Sequence, residues 1–219
     1  MNTNLHAKIT GILFITATAA GLMSAILLGS TLEENDYLNK VASNANQIYL
    51  VAFFELVMAF AVAGIAISMY PILKKYNSGM ALGAVGFRVL EGALFLVGTM
   101  FLLLLLTVST EFVDAGTNDA YFQTLGVIFK SNLPWTIGGI SFTLGALLYY
   151  LLFYQTKIIP RWLSLFGLIA VVFAFTSYIM QFFGANLGDF EALLHLPMLI
   201  QEMVFAVWLI IKGYEIRDI

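Results

Sequence analysis

The sequence predicts an all-α fold, a polytopic membrane bundle of six transmembrane helices with both termini cytoplasmic. Three observations carry that expectation. The 219 residues are 61% hydrophobic and 11% charged, against roughly 25% charged residues in a soluble globular domain. Six apolar runs lie at approximately 9–28, 48–73, 79–108, 131–154, 161–183 and 193–212. Each has the roughly 20 residues that a helix needs to cross about 30 Å of hydrocarbon, where helices satisfy their own backbone polar groups. The charged residues between these runs alternate in sign from one connection to the next.

The first run follows Lys8 and ends near "MSA", as a signal peptide does. Its apolar core exceeds the usual 7–15 residues of such a peptide, so a retained first span is expected. Glu33, Glu34 and Asp36 follow it, opposed by Lys40. The second run ends at Lys74 and Lys75 in the short turn "KKYNSG", which makes spans two and three an antiparallel hairpin. After the third run come Glu111, Asp114 and Asp119, opposed by Lys130. In that connection "AYFQTLGVIFK" is expected either to lie along the membrane surface or to pack on the bundle as an ordered loop. Pro134 suits the first turn of span four, and Trp135 suits an interfacial anchor. The turn "QTKIIPR", with Lys157 and Arg161, makes spans four and five a second hairpin. Asp189 and Glu191 precede the sixth run; Lys212 and Arg217 follow it.

Lysine and arginine concentrate on the cytoplasmic side of membrane proteins. Both termini are therefore expected inside and the acidic loops outside, and six spans agree with that parity. Residues 1–219 read as one membrane domain, without internal repeat, low-complexity segment or soluble domain. The chain has no cysteine, which excludes disulfides, thiolate metal sites and thiol nucleophiles. The two histidines, His6 and His195, are too far apart in character for paired haem ligation across the bundle. No H-E-x-x-H spacing or serine-hydrolase motif is present. No metal and no cofactor is expected.

The informative residues are the charges inside the spans: Glu55, Arg88, Glu91 and Glu202. Arg88 and Glu91 belong to "GFRVLEG", in the middle of an apolar run. At 1.5 Å per residue, Glu55 and Glu202 come to about 10 Å below the outer surface and Glu91 to roughly 14–18 Å above the inner one. A charge at such depth costs at least about 2.5–3.5 kcal/mol and is expected to be paired or to face water. Arg88 and Glu91 share a helical face at i, i+3, and the guanidinium fork also reaches acids on other helices. Three acids against one arginine leave a surplus, so water reaches the site, a cation binds, or some of the acids are protonated. A pocket in the outer half of the bundle is the functional reading; a clamp fixing helix register is the structural one.

His195 lies two turns before Glu202 on the same face. Together with Gln181, Gln201, Asn132 and Trp135 it is a candidate for the mouth of an outward-open cavity, each of these being otherwise an interfacial side chain in contact with water. Gly83 and Gly86, Gly138 and Gly145, and Ala52, Ala59 and Ala63 have spacings that let helices approach closely.

The segments "AKITGILFITATAAGL", "FRVLEG", "IPRWLSLFGLI" and "QEMVFAVWLIIKGY", in this order, resemble the bacterial family known as domain of unknown function 4386, over nearly the whole chain. The resemblance implies a six-span protein of a bacterial plasma membrane and brings no established activity. By the family pattern, Arg88 and Glu202 are positions expected to be occupied this way. The family often carries histidine on its fourth span; "SNLPWTIGGISFTLGALL" has none, which further weakens a metal or haem. The leading expectation is binding or transport of a small solute, alone or coupled to protons, with Glu91 and Glu202 as titrating candidates. An intramembrane enzyme acting on a lipid or isoprenoid head group, with Glu202 and His195 as acid–base groups, is the second. The third is an accessory protein using the charges only as a clamp. Expected partners are membrane lipids and a small molecule or proton, not nucleic acid.

Overall fold

The computed structural model describes residues 3–33, 35–116 and 120–215; Glu34, Asp119 and Arg217 of the charge pattern lie outside the described residues. Every regular element among the described residues is an α-helix: α1 (Thr3–Leu28), α2 (Tyr37–Ser43), α3 (Ala45–Leu73), α4 (Ser78–Ala115), α5 (Ala120–Phe129), α6 (Leu133–Thr156), α7 (Arg161–Phe182) and α8 (Asp189–Ile211). Six stretches, carrying α1, α3, α4, α6, α7 and α8, are long and apolar enough to cross a membrane. The protein is an all-helical, multi-pass membrane protein.

The helices overrun the apolar runs. Span six begins at Asp189 rather than near 193, and α4 has 38 residues, about 57 Å at 1.5 Å per residue. Backbone hydrogen bonding does not stop where apolar side chains do. Instead α4 starts where the Asn77 side chain accepts from the Met80 amide and ends at Gly116 in the left-handed region, the usual start and stop chemistry.

The far end of α4 is clad by two short helices, α2 and α5. Tyr37, Leu38 and Val41 of α2 join Leu102, Leu105 and Leu106 of α4 in a second small core. The run "AYFQTLGVIFK" forms α5, whose Gly126 is buried because Tyr37 and Leu38 fill the space a Cβ would need. Phe122 meets Phe112 edge-to-face at 5.8 Å. So α5 docks by one face while Tyr121, Val127 and Ile128 stay exposed.

The six long helices form a closed ring. In turn α1 packs on α3, α3 on α4, α4 on α6, α6 on α7, α7 on α8, and α8 returns to α1. The two short turns join ring neighbours, as hairpins require. Two glycines bring backbones together: a Cβ on Gly92 would lie 2.7 Å from the Ala59 carbonyl oxygen, and one on Gly11 would lie 2.7 Å from that of Ala206. Gly83 and Gly138 face Leu148 and Phe95, but Gly86 has nothing within 4 Å. At about 100° per residue, Gly86 points roughly 200° away from buried Arg88. It faces out of the ring.

One end of the bundle carries Lys74, Lys75, Lys157 and Arg161 at its turns. Towards that basic end the ring is filled with aromatic side chains. Phe205 has ring centroids 5.4 Å from Phe14, 5.3 Å from Phe153 and 6.2 Å from Tyr150. Tyr214, just past α8, covers this plug and donates to the Thr10 hydroxyl at 3.5 Å. Burial pushes the Tyr214 phenol above its ordinary pKa.

Candidate functional site

Above the plug lies a cavity of about 260 Å³ to which all six spans contribute side chains. Its floor is polar. Helix α4 delivers Arg88 and Glu91 to one face, since three residues bring a helix almost full circle. Arg88 Nη1 lies 3.1 Å from Glu91 Oε2 and donates to Oε1 at 3.4 Å. Both are buried, at 2% and 3% exposure. The guanidinium carbon sits 4.9 Å from the Phe142 ring centroid, a cation–π contact. Gly145 makes room for the arginine, because a Cβ there would lie 3.2 Å from Arg88 Cγ.

Glu202 reaches the same floor from α8, with Oε1 buried and without a hydrogen-bond partner. Arg88 lies about 15 Å along α4 from Ser78, and Glu202 about 14 Å from the same end of the bundle, so the two are level. The expected shallow position of Glu202 rested on a span starting at His195. Glu202 stands about 20 Å along α8 from Asp189 and level with Arg88 rather than above it.

Glu55 stands apart. It is 4% exposed, accepts from Ser24 of α1 at 3.3 Å and faces the Thr99 hydroxyl. The Ala59–Gly92 contact sets this register: Glu55, one turn beyond Ala59, meets Thr99, two turns beyond Gly92. Its second carboxyl oxygen is buried and unpartnered. It does not border the cavity.

Of the candidates for the mouth, His195 borders the cavity. Its Nε2 is 3.0 Å from the Ser177 hydroxyl, which also accepts from Gln181 Nε2 at 3.0 Å. Its ring meets Tyr178 edge-on at 4.7 Å. Gln181 is therefore one hydroxyl removed from the site. Trp135, half-buried at the start of α6, lies tilted against Phe95 at 4.7 Å and over Gly98; it backs the cavity wall through Phe95. Asn132 is exposed ahead of α6. Gln201 is fully buried, hydrogen-bonded to the Tyr150 hydroxyl and donating to the Leu163 carbonyl at 3.3 Å. Next to Glu202 in sequence, it points about 100° away, into the wall of the plug.

Ser177, Tyr178 and Phe142 were not legible as site residues. Ser177 sits four residues before Gln181, which is a helical neighbour, but its role depends on His195 arriving from another helix. Ser177→Ala leaves His195 and Gln181 without their shared partner. A loss of about 1–2 kcal/mol is expected, read as a lowered melting temperature of the detergent-purified protein. An unchanged melting temperature would mean that water replaces the hydroxyl.

The cavity thus offers one arginine, two carboxylates, a hydroxyl-anchored histidine and aromatic and thioether walls. Among the described residues, no three acidic or histidine side chains converge as metal ligands do. The family model described as Domain of unknown function (DUF4386) matches residues 9–213, and the chain belongs to that family. No curated protein and no solved structure matches it.

Proposed function

We propose that this family member binds a small solute in the cavity on the axis of the ring, and that it sits in a bacterial plasma membrane with both termini cytoplasmic. The observation that carries the reading is the buried, unpartnered Oε1 of Glu202 beside the Arg88–Glu91 pair. A register clamp would use its acids on protein donors. A buried carboxylate oxygen without a partner is costly, and a bound donor removes that cost. The aromatic plug supports a site open on one side over a continuous pore, so any transport would require the plug to move. Glu91 and Glu202 are then the groups through which protons would couple. Lys74, Lys75, Lys157, Arg161 and Lys212 at one end support the orientation.

Catalysis has less support. His195 is held by Ser177 and lies about 10 Å along α8 from Glu202, too far for the two to act on one bond without a mediator.

Because the chain lacks cysteine, single cysteines report access directly. Met198→Cys, in the cavity wall, is expected to react with a membrane-impermeant thiol reagent added outside intact cells. Lys75→Cys is expected to react only after permeabilisation. A folded Met198→Cys that stays unreacted would make the interior dry and favour the clamp, and an externally labelled Lys75→Cys would reverse the orientation.

A further inference from the structure

The solute-binding reading leaves the class of solute open, and the cavity narrows it. We infer that the occupant is a lipophilic organic cation, an ammonium group on an apolar body, admitted sideways from the membrane between α1 and α8. This deepens the reading above and rests on it.

Charge comes first. The positive charge of Arg88 is already met by Glu91 at 3.1 Å. The carboxylate of Glu202 has no such partner, and its Oε1 is buried at the cavity. What the floor lacks is one monovalent cation that can donate a hydrogen bond, and a primary ammonium supplies both. An anionic head group reaching the unpartnered Arg88 Nε would instead have to sit beside two carboxylates.

The walls come second. Phe14, Phe95, Phe142 and Tyr178, with Met58 and Met198, surround the floor. Aromatic faces attract cations, and thioethers adapt to apolar groups of varied shape. A small, strongly hydrated solute gains little from such walls, whereas an apolar body gains about 25 cal/mol per Å² covered.

The route comes third. The lining residues of α4 and α6 are buried, while exposure is concentrated on α1 and α8. Leu22 is 48% exposed and Thr18, Gly21, His195 and Leu199 are half-buried. Nearer the basic end the same two helices touch at Gly11 and Ala206. Above that contact Thr18, Gly21 and Leu22 of α1 and His195 and Leu199 of α8 border the cavity, and Leu22 is the most exposed of them, so the route is assigned there. Pro197 gives α8 no amide for the Leu193 carbonyl at this height, removing one of the bonds that would hold the helix straight.

The test uses three probes with the same ten-carbon tail: decylammonium, decanol and decanoate. The full-length protein in nanodiscs is read by melting temperature and by protection of Met198→Cys from a thiol reagent. Decylammonium is expected to raise the melting temperature and to protect the cysteine, with decanol and decanoate at least tenfold weaker. Glu202→Gln is expected to remove that preference. Should this variant fail to fold, Leu22→Trp serves in its place: a larger side chain on the route is expected to slow protection by decylammonium at least tenfold. Stronger protection by decanoate would overturn the cation assignment. Equal protection by all three would remove any role for charge, and unchanged kinetics in Leu22→Trp would overturn the sideways route. A cysteine that reacts freely but is protected by none of the three would leave the solute-binding reading standing and sink this one. An unreactive cysteine would sink both.

Discussion

Arg88→Met is expected to lose about 3–5 kcal/mol of stability, the usual result of removing one partner from a buried ion pair. The arginine is 2% exposed and its neighbour Glu91 3%, so the abandoned carboxylate is left buried without its counter-charge. The same substitution also strips the positive charge facing Glu202. Unfolding titrated with a denaturing detergent in mixed micelles measures the loss. Replacing the pair together, Arg88→Met with Glu91→Leu, is expected to recover most of it, since buried ion pairs are often matched by apolar residues of similar volume. The double variant separates the two acids: it should fold and, with Glu202 still in place, keep the preference for a cationic ligand that Glu202→Gln removes. A single variant as stable as the parent would mean that Glu91 is not an ionised partner of Arg88.

Gly92→Val is expected to be severely damaging although it removes no polar group. A Cβ at this position would lie 2.7 Å from the Ala59 carbonyl oxygen. That atom is backbone and cannot rotate away, so α3 and α4 must separate along their contact. A loss of about 1–3 kcal/mol or more follows from overpacking, and the floor of the cavity moves with it, since Glu91 is the preceding residue. Gly86→Val is the control. It belongs to the same "GFRVLEG" stretch, has nothing within 4 Å, and is expected to change stability by no more than about 0.5 kcal/mol. Equal effects of the two would show that helix propensity, not contact, governs these positions.

The contrast between these glycines shows how far the sequence can be read. Hydropathy and length located all six spans, because a bilayer imposes its thickness on any helix that crosses it. The i, i+3 spacing of Arg88 and Glu91 was enough to pair them, because both lie on one helix. Relations between helices were harder. Glu202 was read as lying above Arg88 because depth was counted separately along each apolar run; counted from the shared basic end, the two are level. Glu55 was grouped with the other charges by depth alone. Its hydrogen bond from Ser24 depends on the rotation of α1 against α3, and nothing local encodes that rotation. Trp135 was read as an interfacial anchor and Gln201 as a mouth residue, from residue type and height alone; Phe95 and Gly98 in one case, and Tyr150 and Leu163 in the other, are partners on other helices. The α5 stretch was singled out with two readings left open and α2 was not seen at all, because both are short and their apolar faces are completed only by the far end of α4.

The closure of the ring through α1 and α8 has a consequence for synthesis. A membrane protein made from its N-terminus receives α1 first and α8 last, so the two helices that must meet are the ones furthest apart in time. Until α8 arrives, the interior of the ring lies open along one side, and Arg88 and Glu91 face whatever fills the gap. Acyl chains are a poor medium for them, at about 2.5–3.5 kcal/mol or more per exposed charge. The nascent protein therefore carries its least lipid-compatible surface for as long as it is unfinished, and the arrival of its last helix is what hides it.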